Sequence, residues 1–161
     1  MYTLAIILMW IVSHFIFVIL HEIGHVLMSR ILFSDKNWWI ELGIGAPVVC
    51  TKRLVINTHF YMFGFAHFTQ HDGARWRRIL RLAGGFITNT LCAGLFLLLF
   101  WFFELRLEPY SPAAQYIYDF LGVAFFYNLF LIITSATPLK YSFTGGYSDG
   151  YRIWKLLRIK D

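Results

Sequence analysis

Charge is what this sequence has least of. Only 14% of its 161 residues are Asp, Glu, Lys or Arg, against about 25% in an ordinary soluble domain. That shortage excludes both a soluble fold of common composition and a disordered tail. Cysteine is scarce too: the two present, Cys50 and Cys92, exclude a disulfide scaffold. They fall in a polar connection and a hydrophobic run, so no bridge between them is expected. The chain has no internal repeat and no low-complexity segment. What it does have is 58% hydrophobic and 20% aromatic residues with a mean hydropathy of +0.60, the composition of a membrane protein. The length suits one bundle of a few spans, without an appended soluble domain of ordinary size.

Three apolar runs organise the chain. The first covers about residues 3–33 (TLAIILMWIVSHFIFVILHEIGHVLMSRILF) and is long enough to cross a hydrocarbon core of about 30 Å. It lacks a basic n-region and a small-residue cleavage site, so a removable signal peptide fits poorly. The second run, Ala83 to Phe103, has 21 residues without a charge, and the third, Phe120 to Thr137, has 18. With their flanks they predict spans over about 82–103 and 117–137. Tyr116, Tyr118 and Asp119 lead into the third, and aromatic residues near span ends suit interfacial anchoring.

The net charge of +5 could suggest a nucleic-acid partner, but in such a chain basic residues first report orientation, and no nucleic acid is expected. Of 14 Lys and Arg, seven lie in residues 34–81 and five in the tail from Pro138, while residues 104–115 hold only Arg106. The positive-inside rule then predicts an outer N-terminus, an inner 34–81 connection, an outer turn from Glu104 to Gln115, and a cytoplasmic C-terminus. A multi-pass protein of a bacterial cell membrane is the expected setting.

The inner connection, about residues 38–68, is rich in β-branched and aromatic residues around a turn at Gly45, Ala46 and Pro47, which predicts a short sheet against the inner membrane face. ARWRRILRL and YRIWKLLRIK mix basic and apolar residues as interfacial segments. The expected fold is therefore an α-helical polytopic membrane protein with three transmembrane helices, a short membrane-associated β-sheet between the first and second, and an interfacial tail over 138–161. All 161 residues form a single membrane-embedded core.

Inside the first run, His21, Glu22, Ile23, Gly24 and His25 spell H-E-x-x-H. On a helix, positions i and i+4 lie about 40° apart and about 6 Å along the axis, so both imidazoles can share one metal ion. Glu22, about 60° further round, can act as general base toward water activated at that metal, the arrangement of a zinc hydrolase. Chance produces the pattern in about 0.5% of chains of this composition. Ionisable groups near mid-membrane cost several kcal/mol and mark functional sites, which favours a metal site over a structural polar cluster.

A third ligand must come from the inner half of the membrane, because His25 is only about 12 Å from the inner end of its run. Asp119, Glu104 and Glu108 lie on the outer side. His14 shares the helical face but is about 10 Å from His21, and so is expected to line a cavity. Asp149 is the candidate: the irregular PLKYSFTGGYSDG can dip back toward the helices where it lines a protein-enclosed cavity. The competing reading makes Asp149 the cap of a tail helix. A His, His, Asp set leaves the open fourth position of a catalytic zinc.

As an ordered set, these features resemble the site-2 protease family of intramembrane zinc metallopeptidases: HEIGH in the first core span, then β-rich YMFGFAHF, then GGFITN at the start of the second span, and Pro138 with GGYSDG after the third. The resemblance implies that Asp149 is the third ligand beside His21 and His25, with one Zn²⁺ per chain and Glu22 catalytic. It further implies that the β-rich segment pairs with an unwound stretch of a membrane-anchored protein or peptide substrate. Two motifs depart from the family. G-P-x-x-N reads Gly85, Phe86, Ile87, Thr88, Asn89, and N-x-x-P reads Ser135, Ala136, Thr137, Pro138, about ten residues before Asp149 rather than in a compact P-L-D-G. Asn89 either helps stabilise an oxyanion or makes an interhelical hydrogen bond.

The expected activity is hydrolysis of a peptide bond in or beside a transmembrane segment, in regulated intramembrane proteolysis or peptide processing. A helical peptide bond hides its carbonyl in the backbone ladder, so the substrate must partly unwind, and helix-weakening residues such as Gly are predicted near the cleaved bond. Two alternatives stand beside it. One is an inactive, metal-binding derivative of such a protease. The other is a membrane di-iron oxygenase or desaturase built on His59, His67 and His71, for which the aromatic alternation around these residues is unfavourable because it predicts a strand. A homodimer is compatible with small residues such as Gly84, Gly85, Ala93 and Gly94.

Overall fold

An unbroken run of helix-compatible apolar residues gives α1 (Tyr2–Phe33), 32 residues and about 48 Å long. It stops at Ser34, whose φ of 55° turns the chain out of the helix. The computed structural model describes residues 2–60, 63–69, 73–104, 111–141 and 146–158. After α1 come β1 (Trp38–Leu42), β2 (Pro47–Cys50), β3 (Leu54–Asn57), β4 (Gly64–Phe68), α2 (Arg75–Glu104), α3 (Pro112–Ala136) and α4 (Asp149–Arg158). The chain is thus mostly helical with one small sheet. Three of its helices, Tyr2–Phe33, Arg75–Glu104 and Ala114–Ala136, are long and apolar enough to cross a membrane.

Two boundaries differ from the sequence expectation for physical reasons. α2 begins at Arg75 and takes in nearly all of the basic ARWRRILRL ahead of the apolar run, because long unbranched basic side chains are good helix formers and nothing in this stretch breaks the ladder. α3 begins earlier, at Pro112, where the Ser111 hydroxyl caps it by accepting from the Ala114 N–H at 3.1 Å. It ends at Thr137, immediately before Pro138, which cannot continue a helix.

The helices meet where side chains are small. A Cβ on Gly24 would collide with the Gly84 carbonyl and the Thr88 hydroxyl, and one on Gly84 would collide with Gly24, so α1 and α2 cross with their backbones nearly touching. Further along, Phe17, Ala124 and Tyr127 form a buried cluster between α1 and α3, with Leu20, Phe96 and Leu131 around it.

All four strands fall within residues 38–68 and form a sheet of order β2-β3-β1-β4. β1 pairs in parallel with β3 (Ile40 opposite Leu54) and antiparallel with β4 (Ile40 opposite Ala66). Gly43 and Gly45, at φ of 78° and 104°, make the turn out of β1 that sends β2 to the far side. Ile40 and Leu42 pack with Val26 of α1 into a second core, which lays the sheet against the same half of α1 that carries His21 and His25. β4 is the edge strand nearest the helices, and among the described residues no strand pairs with its outer side.

Candidate metal centre

His21 and His25 project from one face of α1, with ring centroids 4.9 Å apart. Both are buried, as is Glu22. The donor atoms of His21, Glu22 and His25 all lie within 4.8 Å of one another, close enough to share an ion.

The structure also brings Asp149 to this group. Its Oδ2 lies 3.2 Å from His21 Nε2 and 3.1 Å from His25 Nε2, and its side chain is 14% exposed. Four features of the tail place it there. A bridge between Lys140 and Tyr147 folds the chain back after Pro138. The Ser148 hydroxyl donates to the Thr137 carbonyl (2.6 Å) and accepts from the Leu139 N–H (2.9 Å), which pins the start of α4 to the end of α3. Gly150 sits so tightly on Ala136 that a Cβ would strike its carbonyl. Finally, Ser148 caps α4, its hydroxyl accepting from the Tyr151 N–H at 3.1 Å. The helix therefore does not use Asp149 as its cap, and the carboxylate is free to face the imidazoles. Burial by itself would raise the Asp149 pKa, but His25 and His21, when protonated, outweigh it and hold the carboxyl below the usual carboxylate range.

The donor set can be tested against a metal. Two ligands of a tetrahedral zinc ion, each at about 2.0 Å, stand about 3.3 Å apart. The two separations from Asp149 Oδ2 fall close to that value. The far sides of both rings are also arranged for ligation. His21 Nδ1 donates to Asn89 Oδ1 at 2.6 Å and His25 Nδ1 to the Arg81 carbonyl at 2.9 Å. Both partners can only accept, so in the neutral rings the proton sits on Nδ1 and the Nε2 lone pair faces the centre. Two imidazoles and a carboxylate are a suitable set for Zn²⁺, and the residues present fit it.

Asn89 is fully buried and is not among the residues lining the adjoining cavity. Its amide donates to Asn128 Oδ1 at 2.8 Å, and Asn128 donates to the Ala124 carbonyl at 2.8 Å. The interhelical reading of Asn89 thus matches its geometry, and its oxygen is already engaged by His21. Asn128 was not singled out from the sequence, although it is the lone carboxamide in the third apolar run. The Arg81 carbonyl, being backbone, left no signal at all. Gly85 completes the pocket for His21: a Cβ there would run into the imidazole. Replacing Asn89 with Ala frees the His21 ring to rotate and is expected to weaken metal affinity about 10- to 100-fold, measured by competition with a chromophoric chelator.

Glu22 faces the sheet. Gly64 of β4 lies so close that a Cβ would meet Glu22 Cγ and Oε1 at 2.8 and 2.9 Å. The group opens on a cavity of about 690 Å³ lined by His14, Val18, Tyr127, Phe130 and the whole of β4. His14 lines this cavity, hydrogen-bonded through Nδ1 to the Tyr127 hydroxyl.

His67 also faces the cavity but is held elsewhere. Its Nε2 is 2.8 Å from Glu41 Oε2, and its ring stacks on Trp39 at 4.6 Å. It lies on strand β4, His59 lies in the turn after β3, and His71 is outside the described residues. No family model, curated protein or solved structure matches the chain.

Proposed function

We propose that the protein is a zinc-dependent intramembrane endopeptidase of the site-2 protease type, cleaving a membrane-anchored protein or peptide in or beside its transmembrane segment. The observation that carries this reading is the convergence of His21, His25 and Asp149, with Glu22 beside them and the edge strand β4, unpaired on its outer side among the described residues, along the same cavity. His21, His25 and Asp149 would hold the ion; when bound, Zn²⁺ supplies a Lewis acid that polarises a carbonyl and makes water acidic enough to deprotonate near neutral pH.

Each protein group then has a task. Glu22, carried between the two histidines on the same helix, takes the proton from the attacking water on its carboxylate and returns it to the leaving amine. Asn89 and the Arg81 carbonyl fix the two rings, and Asn128 fixes Asn89. The outer edge of β4 offers backbone groups to an extended stretch of substrate, which keeps that stretch out of a helix while its scissile carbonyl is exposed. Phe63, Phe65, Phe130 and Leu131 give the cavity apolar walls suited to a peptide drawn from lipid.

The same reading sets the protein in its membrane. Only 11%, 11% and 28% of the most apolar stretches of α1, α2 and α3 is buried within the chain, and lipid is the cover that such surfaces fit. Basic residues collect around the sheet and α4, and by the positive-inside rule this supports a cytoplasmic side for them with the N-terminus outside. His25 then lies about 12 Å from the inner end of α1. Co-expression with single-span proteins encoded nearby tests the proposal. It predicts cleavage within or next to the apolar span, near Gly or another helix-weakening residue, with the bond located by mass spectrometry; cleavage confined to soluble regions would contradict it.

A further inference from the structure

Beside the metal centre, a second cleft of about 450 Å³ lies between the start of α2 and the face of α4. Arg78 and Arg81 line it from α2, and Arg152 and Lys155 from α4; among the described residues no carboxylate lines it. Four cations from two helices thus line one cleft, and Arg81 also has the Asp35 carboxylate within electrostatic reach. Arg81 is fixed at its base, its guanidinium between the rings of Phe33 and Phe68 at 4.7 and 5.0 Å. The others sit further out, with Arg152 and Lys155 exposed. Tyr147 and Tyr151, stacked at 4.7 Å, form a third wall with hydroxyl donors, and Leu82 and Leu156 add apolar surface.

Cationic side chains pointed into a shared cleft repel one another, and an anion with several acceptor oxygens relieves that repulsion. Position narrows the ligand. The cleft is at the basic end of α2, one turn before its uncharged run begins at Ala83. α4 is itself amphipathic, with Trp154 and Leu157 exposed beside its basic residues. A basic pocket between helices at the cytoplasmic surface is suited to a phospholipid headgroup.

We infer that this cleft binds the phosphate group of an anionic phospholipid, which ties α4 to α2. The inference rests on the reading that α1, α2 and α3 cross a membrane, and not on catalysis or on zinc. Because α4 begins with Asp149, the same lipid steadies the third metal ligand; Arg81, Leu82, Tyr147 and Arg152 line both the cleft and the larger cavity.

The test reconstitutes the full chain in nanodiscs of phosphatidylcholine alone or with phosphatidylglycerol, and measures retained lipid by native mass spectrometry and amide exchange in 149–158. Phosphatidylglycerol is expected to be retained preferentially and to slow exchange in α4. Each of Arg78→Gln and Lys155→Gln should reduce that retention about fivefold, the effect of one charge near an anionic surface. Lys52→Gln, on the exposed connection between β2 and β3, should leave it unchanged. Helical circular dichroism of each variant confirms that the fold persists. Inorganic phosphate added to phosphatidylcholine discs forms the other arm: protection of α4 by phosphate alone would reassign the cleft to a soluble phosphate and overturn the lipid assignment. Equal retention of the two lipids, or equal losses in all three variants, would overturn it as well.

Discussion

Asp149→Ala is expected to purify with little or no metal, binding zinc on the order of 10²–10³-fold more weakly than the wild type. Three protein ligands hold a catalytic zinc, and removing one leaves two imidazoles on a single helix with water in place of a carboxylate. The loss should exceed that of Asn89→Ala, which only unfixes a ring whose Nε2 remains. It should also occur without loss of α4, because Ser148 caps that helix and its hydroxyl bonds to Thr137 and Leu139 do not involve the carboxylate. Asp149→Asn, close in volume but uncharged, separates charge from packing. Metal analysis with helical circular dichroism checks the outcome, and full zinc occupancy in both variants would remove Asp149 from the centre.

Glu22→Gln is expected to split metal binding from chemistry. The amide preserves the size of a side chain packed against Gly64, and Glu22 is not needed as a ligand where His21, His25 and Asp149 converge. Zinc content should therefore stay at that of the wild type. Cleavage should fall by about 10²–10⁴-fold, since an amide cannot accept a proton from water at neutral pH. The two variants thus differ in kind: Asp149→Ala loses metal and activity together, and Glu22→Gln loses activity alone. A Glu22→Gln protein that cleaves as fast as the wild type would exclude Glu22 as the base.

Much of this arrangement is legible in the sequence because it is local. Helical spacing alone places His21 and His25 on one face, and the β-branched and aromatic residues of 38–68 mark that segment as β-rich, without dividing it into its four strands. What is not legible depends on the chain returning to itself. The sheet order β2-β3-β1-β4, with β1 and β3 parallel, follows from the excursion through Gly43 and Gly45 and from packing on Val26, and no strand's own composition specifies it. Asp149 illustrates the same limit. An Asp at the start of a helix has the composition of a cap, and only the neighbouring Ser148, by occupying that position, shows that the carboxylate is turned elsewhere. The support for His21 passes through Asn89 to Asn128 across three helices, a chain of contacts that exists only once α1, α2 and α3 are packed.

Zinc-dependent hydrolysis by this chain alone can be measured on the purified protein in nanodiscs with a membrane-anchored peptide found to be cleaved in cells. Metal content, cleavage before and after chelation, and ¹⁸O incorporation from labelled water are read on the same preparation. The expected result is one zinc per chain, cleavage lost on chelation and regained with added zinc, and one ¹⁸O in the new carboxyl terminus. Two irons per chain, or cleavage that is indifferent to chelation, would contradict it.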